Sequence, residues 1–505
     1  MKKSFTLTSL MMVAAMQTVG IHEANAGVQD LIRYTNGTQI IDVANLVDQV
    51  KPFFQSINRD NCRSELSSFN DRMESIRSHE VDRESIKANY TSYIKKMFLA
   101  RLELREQLIQ MSVQSRVKKA CENEIRRSMR VLRYTEEYYA KVADLKFNQD
   151  VFQGEEPFML LNPKYKEFKL KSGDVLISRG NAIVSAAIAR VGKVDGQFSH
   201  AAIIYVDEAT QTPYAVEAHI EIGTDVAAFA EKYAQDGKTR SVLFRHPNEE
   251  LAKKAGLIAY QTATEAMQKG ARVPYDFSMT LDNESELFCS EIPYMAFKKA
   301  SAGSYIMGSQ YRTEFDNAHN AFLKGIGITN KSTLSPTDIE FDTQLELVAE
   351  WRDLEETHKT HRKDAVLTSF FNWFEKENIS LRTDYSIGEA TIAYTARRLP
   401  FISELLKDSV APNVTITTMA NMSTMDKAGS GLMDILNKYY EDRLNDSNMD
   451  MTFIELLEAI RDFRSKDEIV LKKYQKWVNS TRNSGSQNQS YVPPEESSFM
   501  KYFKK

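Results

Sequence analysis

The run ELFCSEIPYMAF, Glu286 to Phe297, places Cys289 after two apolar residues and before a helix-like pattern. Ile292, Met295 and Ala296 recur at helical spacing, and Lys298 and Lys299 follow them. Pro293 has no N–H to give and is tolerated only in the first turn of a helix, so the helix must begin close to Cys289. A sulfur at that end faces unpaired backbone N–H groups, which favour a thiolate and can hold an oxyanion. Free cysteine is also among the most buried residue types, so the run by itself leaves a packed core cysteine and a nucleophile equally open.

The rest of the chain narrows that choice. It has three cysteines, Cys62, Cys121 and Cys289, so any internal pairing leaves one over. At the amino end, Lys2 and Lys3 precede the apolar run FTLTSLMMVAAM and the small-residue site Ala24-Asn25-Ala26. This pattern predicts a signal peptide over 1–26 and an exported product, periplasmic or secreted from a bacterial cell envelope. The apolar run falls short of the roughly 20 residues that span a bilayer. In an oxidising compartment the simplest partition is a Cys62–Cys121 disulfide and a free Cys289; three free thiols is the alternative. A net charge of −4 over 505 residues gives no support for a nucleic-acid partner, which calls for a strongly basic face.

Three territories follow. Residues 27–155 lack glycine and proline between Pro52 and Gly154, and YIKKMFLARLELREQLIQM reads as amphipathic helix, predicting a helical bundle or hairpin with Met and Tyr in its core. Residues 160–330 hold most of the glycines and the β-rich runs DVLIS, HAAIIYV, YAVEAHIEI and SVLFRH, with a helix capped by Asn248, and read as a compact α+β domain. Residues 335–480 return to helix, including TQLELVAEWRDLEE, and 481–505 reads as a disordered tail with a basic-aromatic tip. The fold class is therefore multidomain α+β, a central domain between two helical ones.

Cysteine chemistry needs a base and a group to orient it. His200 opens the strand HAAIIYV after a turn, and Glu217 lies in YAVEAHIEI, alternating with His219 and Glu221 so that all three would share one strand face. His219 and Glu221 read most simply as surface salt-bridge partners. HKTH sets His358 and His361 on one helix face at metal-binding spacing, but no further ligands stand out, so neither metal nor cofactor is assigned.

In order and spacing, SGDVLIS, FSHAAIIYV, YAVEAHIEIG, YDF and FCSEIPYMAF resemble the YiiX/YaeF-like cysteine hydrolases, in the circularly permuted branch of the NlpC/P60 (papain-like) superfamily. The resemblance covers about 165–310. It implies a permuted papain-like domain with Cys289 as nucleophile, His200 as base and Glu217 as orienter. By the same analogy the Tyr275 hydroxyl is a candidate oxyanion donor, with a core tyrosine as the alternative. His200 would lower the thiol pKa through an ion pair. The implied activity is amide cleavage in peptides or cell-wall (peptidoglycan) peptides. A lipid or acyl-ester enzyme on the same core is the first alternative, since the family also resembles lecithin–retinol acyltransferases. The second is a non-enzymatic envelope protein that binds partners through its helices.

Overall fold

The structure is a computed structural model describing residues 32–35, 38–113, 115–144, 159–235, 238–316, 320–398, 410–483 and 493–505. The expected signal peptide lies outside them. The chain divides into two compact units, 1–145 and 146–505.

In the first unit, β1 (Ile32–Thr35) and β2 (Thr38–Ile41) pair antiparallel within a span read as wholly helical. Four helices follow: α1 (Val43–Gln55), α2 (Cys62–Glu74), α3 (Arg83–Ser112) and α4 (Lys119–Val142). Asp42 and Asp82 start α1 and α3, their carboxylates accepting from Asn45 N–H at 3.1 Å and Ser85 N–H at 3.0 Å. Phe53, Phe54 and Phe69 form an aromatic knot with centroids 5.2–5.6 Å apart. Met97, Met129 and Tyr139 are buried. Cys62 and Cys121 are joined in a disulfide with a Cα–Cα distance of 5.5 Å, tying the first turn of α2 to that of α4.

The second unit is built on a seven-stranded antiparallel sheet. Its strands are β3 (Met159–Leu161), β4 (Val175–Gly180), β5 (His200–Val206), β6 (Pro213–His219), β7 (Gly223–Ala228), β8 (Lys238–Arg245) and a strand at Glu346–Arg352. Between them lie α5 (Ile183–Ala189), α6 (Phe229–Gln235), α7 (Glu249–Gln268), α8 (Glu291–Ala300), the small pair β9 (Thr313–Glu314) and β10 (Ser332–Thr333), α9 (Ala321–Gly325) and α10 (Pro336–Ile339). With Glu346–Arg352 as β11, the sheet order is β3-β11-β8-β4-β5-β6-β7. As the sequence suggested, Asn248 caps α7, accepting from Leu251 N–H at 3.0 Å.

Four sequence expectations are corrected here. TQLELVAEWRDLEE was read as helix, but β11 occupies its centre, and α11 (Leu354–Glu377) starts only beyond it. β11 pairs with β3 on one edge and β8 on the other, and Leu347, Val348, Ala349 and Trp351 are all buried, so sheet pairing overrides the helix-friendly Leu and Glu content. For the same reason the sheet domain runs past the expected boundary at 330. Glu221 does not share a strand face with Glu217, because β6 ends at His219 and residues 220–222 form a turn. The tail is not disordered at its end. After β12 (Ser380–Leu381), α12 (Ile387–Ala396), α13 (Ile416–Ser447) and α14 (Phe453–Asn483), the last residues return as β13 (Phe503–Lys504) and pair with β12. Phe499, Met500 and Phe503 are buried in the helical core, so the basic-aromatic tip is a core element rather than a solvated end. The buried Asp467 carboxylate accepts from Ser497 Oγ and from the N–H groups of Ser498, Phe499 and Met500 at 2.7–3.1 Å, satisfying donors that burial would otherwise strand.

The helices after residue 353 are anchored to the sheet by charge as well as apolar packing. Asp364 of α11 lies 2.8 Å from Arg179 of β4 and 2.9 Å from Arg190 beyond α5, all three fully buried. Burial alone would raise the Asp364 pKa; the facing guanidiniums of Arg190 and Arg179 outweigh it and hold the carboxyl at about 2.

Candidate active site

Strand register assembles the polar cluster. Ala202 of β5 faces Glu217 of β6, and Ser178 of β4 faces His200. Side chains two apart share a face, so His200, Glu217 and His219 project together from the same end of the sheet. His200 Nε2–H donates to Glu217 Oε2 at 2.5 Å, with the carboxylate only 1% exposed. That bond fixes the tautomer and leaves Nδ1 to accept a proton. His219 stacks on His200 with centroids 5.1 Å apart, and its Nε2 lies 3.1 Å from Glu217 Oε1 but is not aligned for a hydrogen bond. Lys232 Nζ of α6 is 3.5 Å from Glu217 Oε1 and 3.6 Å from Asp225 Oδ2.

Cys289 comes to this strand end from the helical side. Its helix, α8, starts at Glu291 with Ser290 as N-cap, so Cys289 sits one residue outside the helix. α7 and α8 cover the sheet face opposite the His200 ring: Tyr260 stacks on Tyr205 at 4.3 Å, and Phe297 meets His246 at 5.7 Å. The thiol is free and 3% exposed. Its Sγ lies 4.0 Å from Ser199 O and 3.9 Å from Ser290 Oγ, and the Ala201 N–H points to it, so it packs on the backbone on both sides of His200.

The sulfur packs on the backbone of Ser199 and Ala201, the residues flanking His200, but among the described residues no hydrogen bond joins thiol and imidazole. The expected ion pair is not present. Burial raises the Cys289 pKa, and the N–H groups of Ala201 and Ser290 offset this only in part. Burial and the charge of Lys238 push His200 down to about 4, against the opposing pull of Glu217. Burial also works to raise the Glu217 pKa, yet His200 and His219 hold it well below the carboxylate range. The resting site is thus a neutral thiol, a neutral imidazole and a charged carboxylate. Two desolvated charges cost more here than their attraction returns.

Tyr275 is held near the sulfur by backbone bonds. Leu287 N–H donates to Pro274 O at 2.9 Å, and Thr224 N–H donates to Val273 O at 2.9 Å. Gly223, at φ +78°, makes the second contact feasible, since a Cβ there would lie 2.2 Å from Val273 O. Tyr275 is buried, and that burial raises its pKa well above the ordinary value, so its hydroxyl keeps its proton.

Residues 169–349 match the family described as permuted papain-like amidase, YaeF/YiiX, C92. The central domain is similar to the permuted papain-like amidases. The match ends within β11, so α11 to α14 lie outside the shared amidase core. A crystal structure described as metalloprotein yiiX from Escherichia coli O157:H7 aligns with 36% of this chain and 97% of its own, at 19% identity and a TM-score of 0.27. No curated protein matches the chain.

His219, Lys232 and Lys238 are the site neighbours that sequence reasoning missed or assigned to the surface. His219 carried a usable signal, alternation with Glu217; the lysines arrive from α6 and β8 and carried none. Ligand atoms of His200, Glu217 and His219 lie within 4.8 Å of one another, a donor set that suits a zinc-type ion, although Lys232 beside the carboxylate competes with any cation. His358 and His361 of α11 stand 6.0 Å apart, with His358 Nε2 4.0 Å from Asp450 Oδ1.

Proposed function

We propose that the protein is an exported thiol hydrolase that cuts an amide bond in peptides or cell-wall peptides, with Cys289 as nucleophile, His200 as base and Glu217 as orienter. The supporting observation is a free thiol packed against the first residues of the strand whose histidine is locked to a buried carboxylate, inside a domain matched to an amidase family. Because thiol and imidazole rest neutral, proton transfer accompanies attack rather than preceding it. As Cys289 Sγ approaches the carbonyl carbon, its proton passes to His200 Nδ1, and Glu217 stabilises the imidazolium that forms. The absence of a resting hydrogen bond means the thiol must swing toward the imidazole when substrate binds, a tightening common from free to bound enzyme. Tyr275 O–H and the Cys289 N–H are the proposed oxyanion donors. The imidazolium then protonates the leaving amine, and water releases the acyl group.

Replacing Cys289 with Ala should abolish hydrolysis of cell-wall fragments while the circular dichroism spectrum stays unchanged. Full turnover by that variant would end the proposal. The alternative of a lipid-directed enzyme gains support from an apolar cleft against Tyr275. Helix-borne binding of an envelope partner, by contrast, has no observation in its favour.

A further inference from the structure

Glu217 stands against a second carboxylate. In the antiparallel register of β6 and β7 it lies directly opposite Asp225. Like charges in that position destabilise a strand pair, and burial of Glu217 leaves little water to screen them. Relief comes from α6, which follows β7 without a loop, Ala228 to Phe229. Phe229 and Tyr233 stack at 4.4 Å and pack on Ala202, Ile204 and Ala215, the apolar neighbours of Glu217 on its sheet face. With that turn anchored, Lys232 reaches back over both acids: its Nζ is 3.5 Å from Glu217 Oε1 and 3.6 Å from Asp225 Oδ2. The other Asp225 oxygen, Oδ1, lies 3.2 Å from Arg272 Nη2. Charge therefore alternates along Arg272, Asp225, Lys232 and Glu217, from a guanidinium 32% exposed to a carboxylate 1% exposed.

We infer that Lys232 is a positioning residue of the site: clamped between Asp225 and Glu217, its ammonium holds the Glu217 carboxylate turned so that Oε2 accepts from His200. The inference rests on the hydrolase reading above and deepens it by adding the residue that governs the proposed orienter. The two Glu217 oxygens have unequal duties. Oε2 takes the His200 Nε2–H. Oε1 is buried and, among the described residues, accepts no aligned hydrogen bond, so the charge beside it stands in for one. His219 Nε2 lies 3.1 Å from that oxygen but off line. Lys238, at the start of β8, adds positive charge to the same carboxylate, while Lys232 is the cation seated between the two acids. Without the ammonium, a carboxylate buried opposite another carboxylate is driven to take up a proton. A protonated Glu217 would donate to His200 Nε2 instead of accepting from it. The imidazole proton would then sit on Nδ1, the atom that must receive the thiol proton. Asp225 keeps the flexible lysine stem in place by offering its ammonium a second acceptor.

The test uses the full chain with Lys232→Met, Lys232→Arg, Glu217→Gln and the double variant Lys232→Met/Glu217→Gln, each checked by circular dichroism. Lys232→Gln takes the place of the methionine variant should that one misfold. The first readout needs no substrate: heteronuclear NMR of histidine-labelled protein reports which ring nitrogen of His200 carries the proton. Lys232→Met should move it from Nε2 to Nδ1, and Lys232→Arg should keep it on Nε2. The second readout is steady-state hydrolysis of cell-wall fragments. Lys232→Met should lower kcat roughly 10–100-fold with KM within about threefold, and Lys232→Arg should recover kcat to within about fivefold of wild type. In the Glu217→Gln background the methionine change should cost no further activity, because the two residues act as one unit. An unmoved proton in folded Lys232→Met, or fully additive losses in the double variant, overturns the clamp. A moved proton in Lys232→Met, alongside a wild type that leaves the fragments uncut, upholds the clamp and overturns the cell-wall hydrolase reading instead.

Discussion

Glu217→Gln isolates the carboxylate proposed to orient His200 with almost no change of shape. In the native site Glu217 Oε2 accepts from His200 Nε2–H at 2.5 Å and is 1% exposed. Two losses follow from the substitution. A hydrogen bond to a charged group is worth about 1.5–3 kcal/mol, and losing it as the imidazolium forms costs roughly 10–150-fold in rate. The amide must also choose an orientation. Lys232 Nζ, 3.5 Å from Oε1, draws the amide oxygen toward itself and leaves the NH₂ facing His200. The ring is then forced to carry its proton on Nδ1, where it cannot take one from the thiol. In related triads the carboxylate-to-carboxamide change costs about 10⁴ in kcat. The expected loss in kcat/KM is therefore between about 10² and 10⁴, carried mainly by kcat. Lys232 retains Asp225 at 3.6 Å, so the fold should survive, which circular dichroism and a melting curve check. The assay is steady-state hydrolysis of any amide that the wild type cleaves. A folded Glu217→Gln protein within about fivefold of wild type would refute the orienter role.

Iodoacetamide alkylation of Cys289 reports the resting protonation state: with the thiol pKa raised and His200 lowered to about 4, the rate should be slow at neutral pH and climb only in the alkaline range, whereas a plateau already reached by pH 6 would show a resting ion pair. Linkage gives the matching stability change: His200 favours its neutral form in the fold, so its contribution is present above about pH 6.5 and is lost as pH falls toward 4, seen as a falling urea midpoint across that window unless His200→Asn removes it. Cys62→Ser, which opens a link between residues 59 apart in sequence, should lower the stability of the first unit by about 4 kcal/mol in urea titration, and a loss under 1 kcal/mol would show the bridge to be structurally idle. Phe499→Ala, removing a fully buried ring from the helical core, should cost about 3–5 kcal/mol, whereas a neutral effect would return the chain end to a solvated tail.

Local chemistry explains what could be read without coordinates. Pro293 fixed where the α8 helix begins, and two-residue alternation placed His200 and Glu217 on strands, because these are constraints between near neighbours. The strand at 346–352 was misread because its conformation is set by β3 and β8, far away in sequence, while its own Leu and Glu content suits a helix. Phe499, Met500 and Phe503 looked like a loose tip for a related reason: the groups that bury them, Asp467 and the β12 edge, lie 30 to 120 residues earlier in the chain. At the site, residue types were legible but protonation was not. A helix-end cysteine beside a histidine suggests a low thiol pKa, and only the 3% exposure of Cys289 shows that desolvation dominates.

The most direct measurement is peptide mapping by mass spectrometry after the purified protein has been incubated briefly with cell-wall fragments and, separately, with phospholipids and N-acyl amides, then quenched in acid. The account predicts an acyl group in thioester linkage on the peptide containing Cys289, labile to hydroxylamine and missing from the Cys289→Ala protein. Substrate turnover with an unmodified Cys289 peptide at every quench time, and undiminished in the alanine variant, would contradict it.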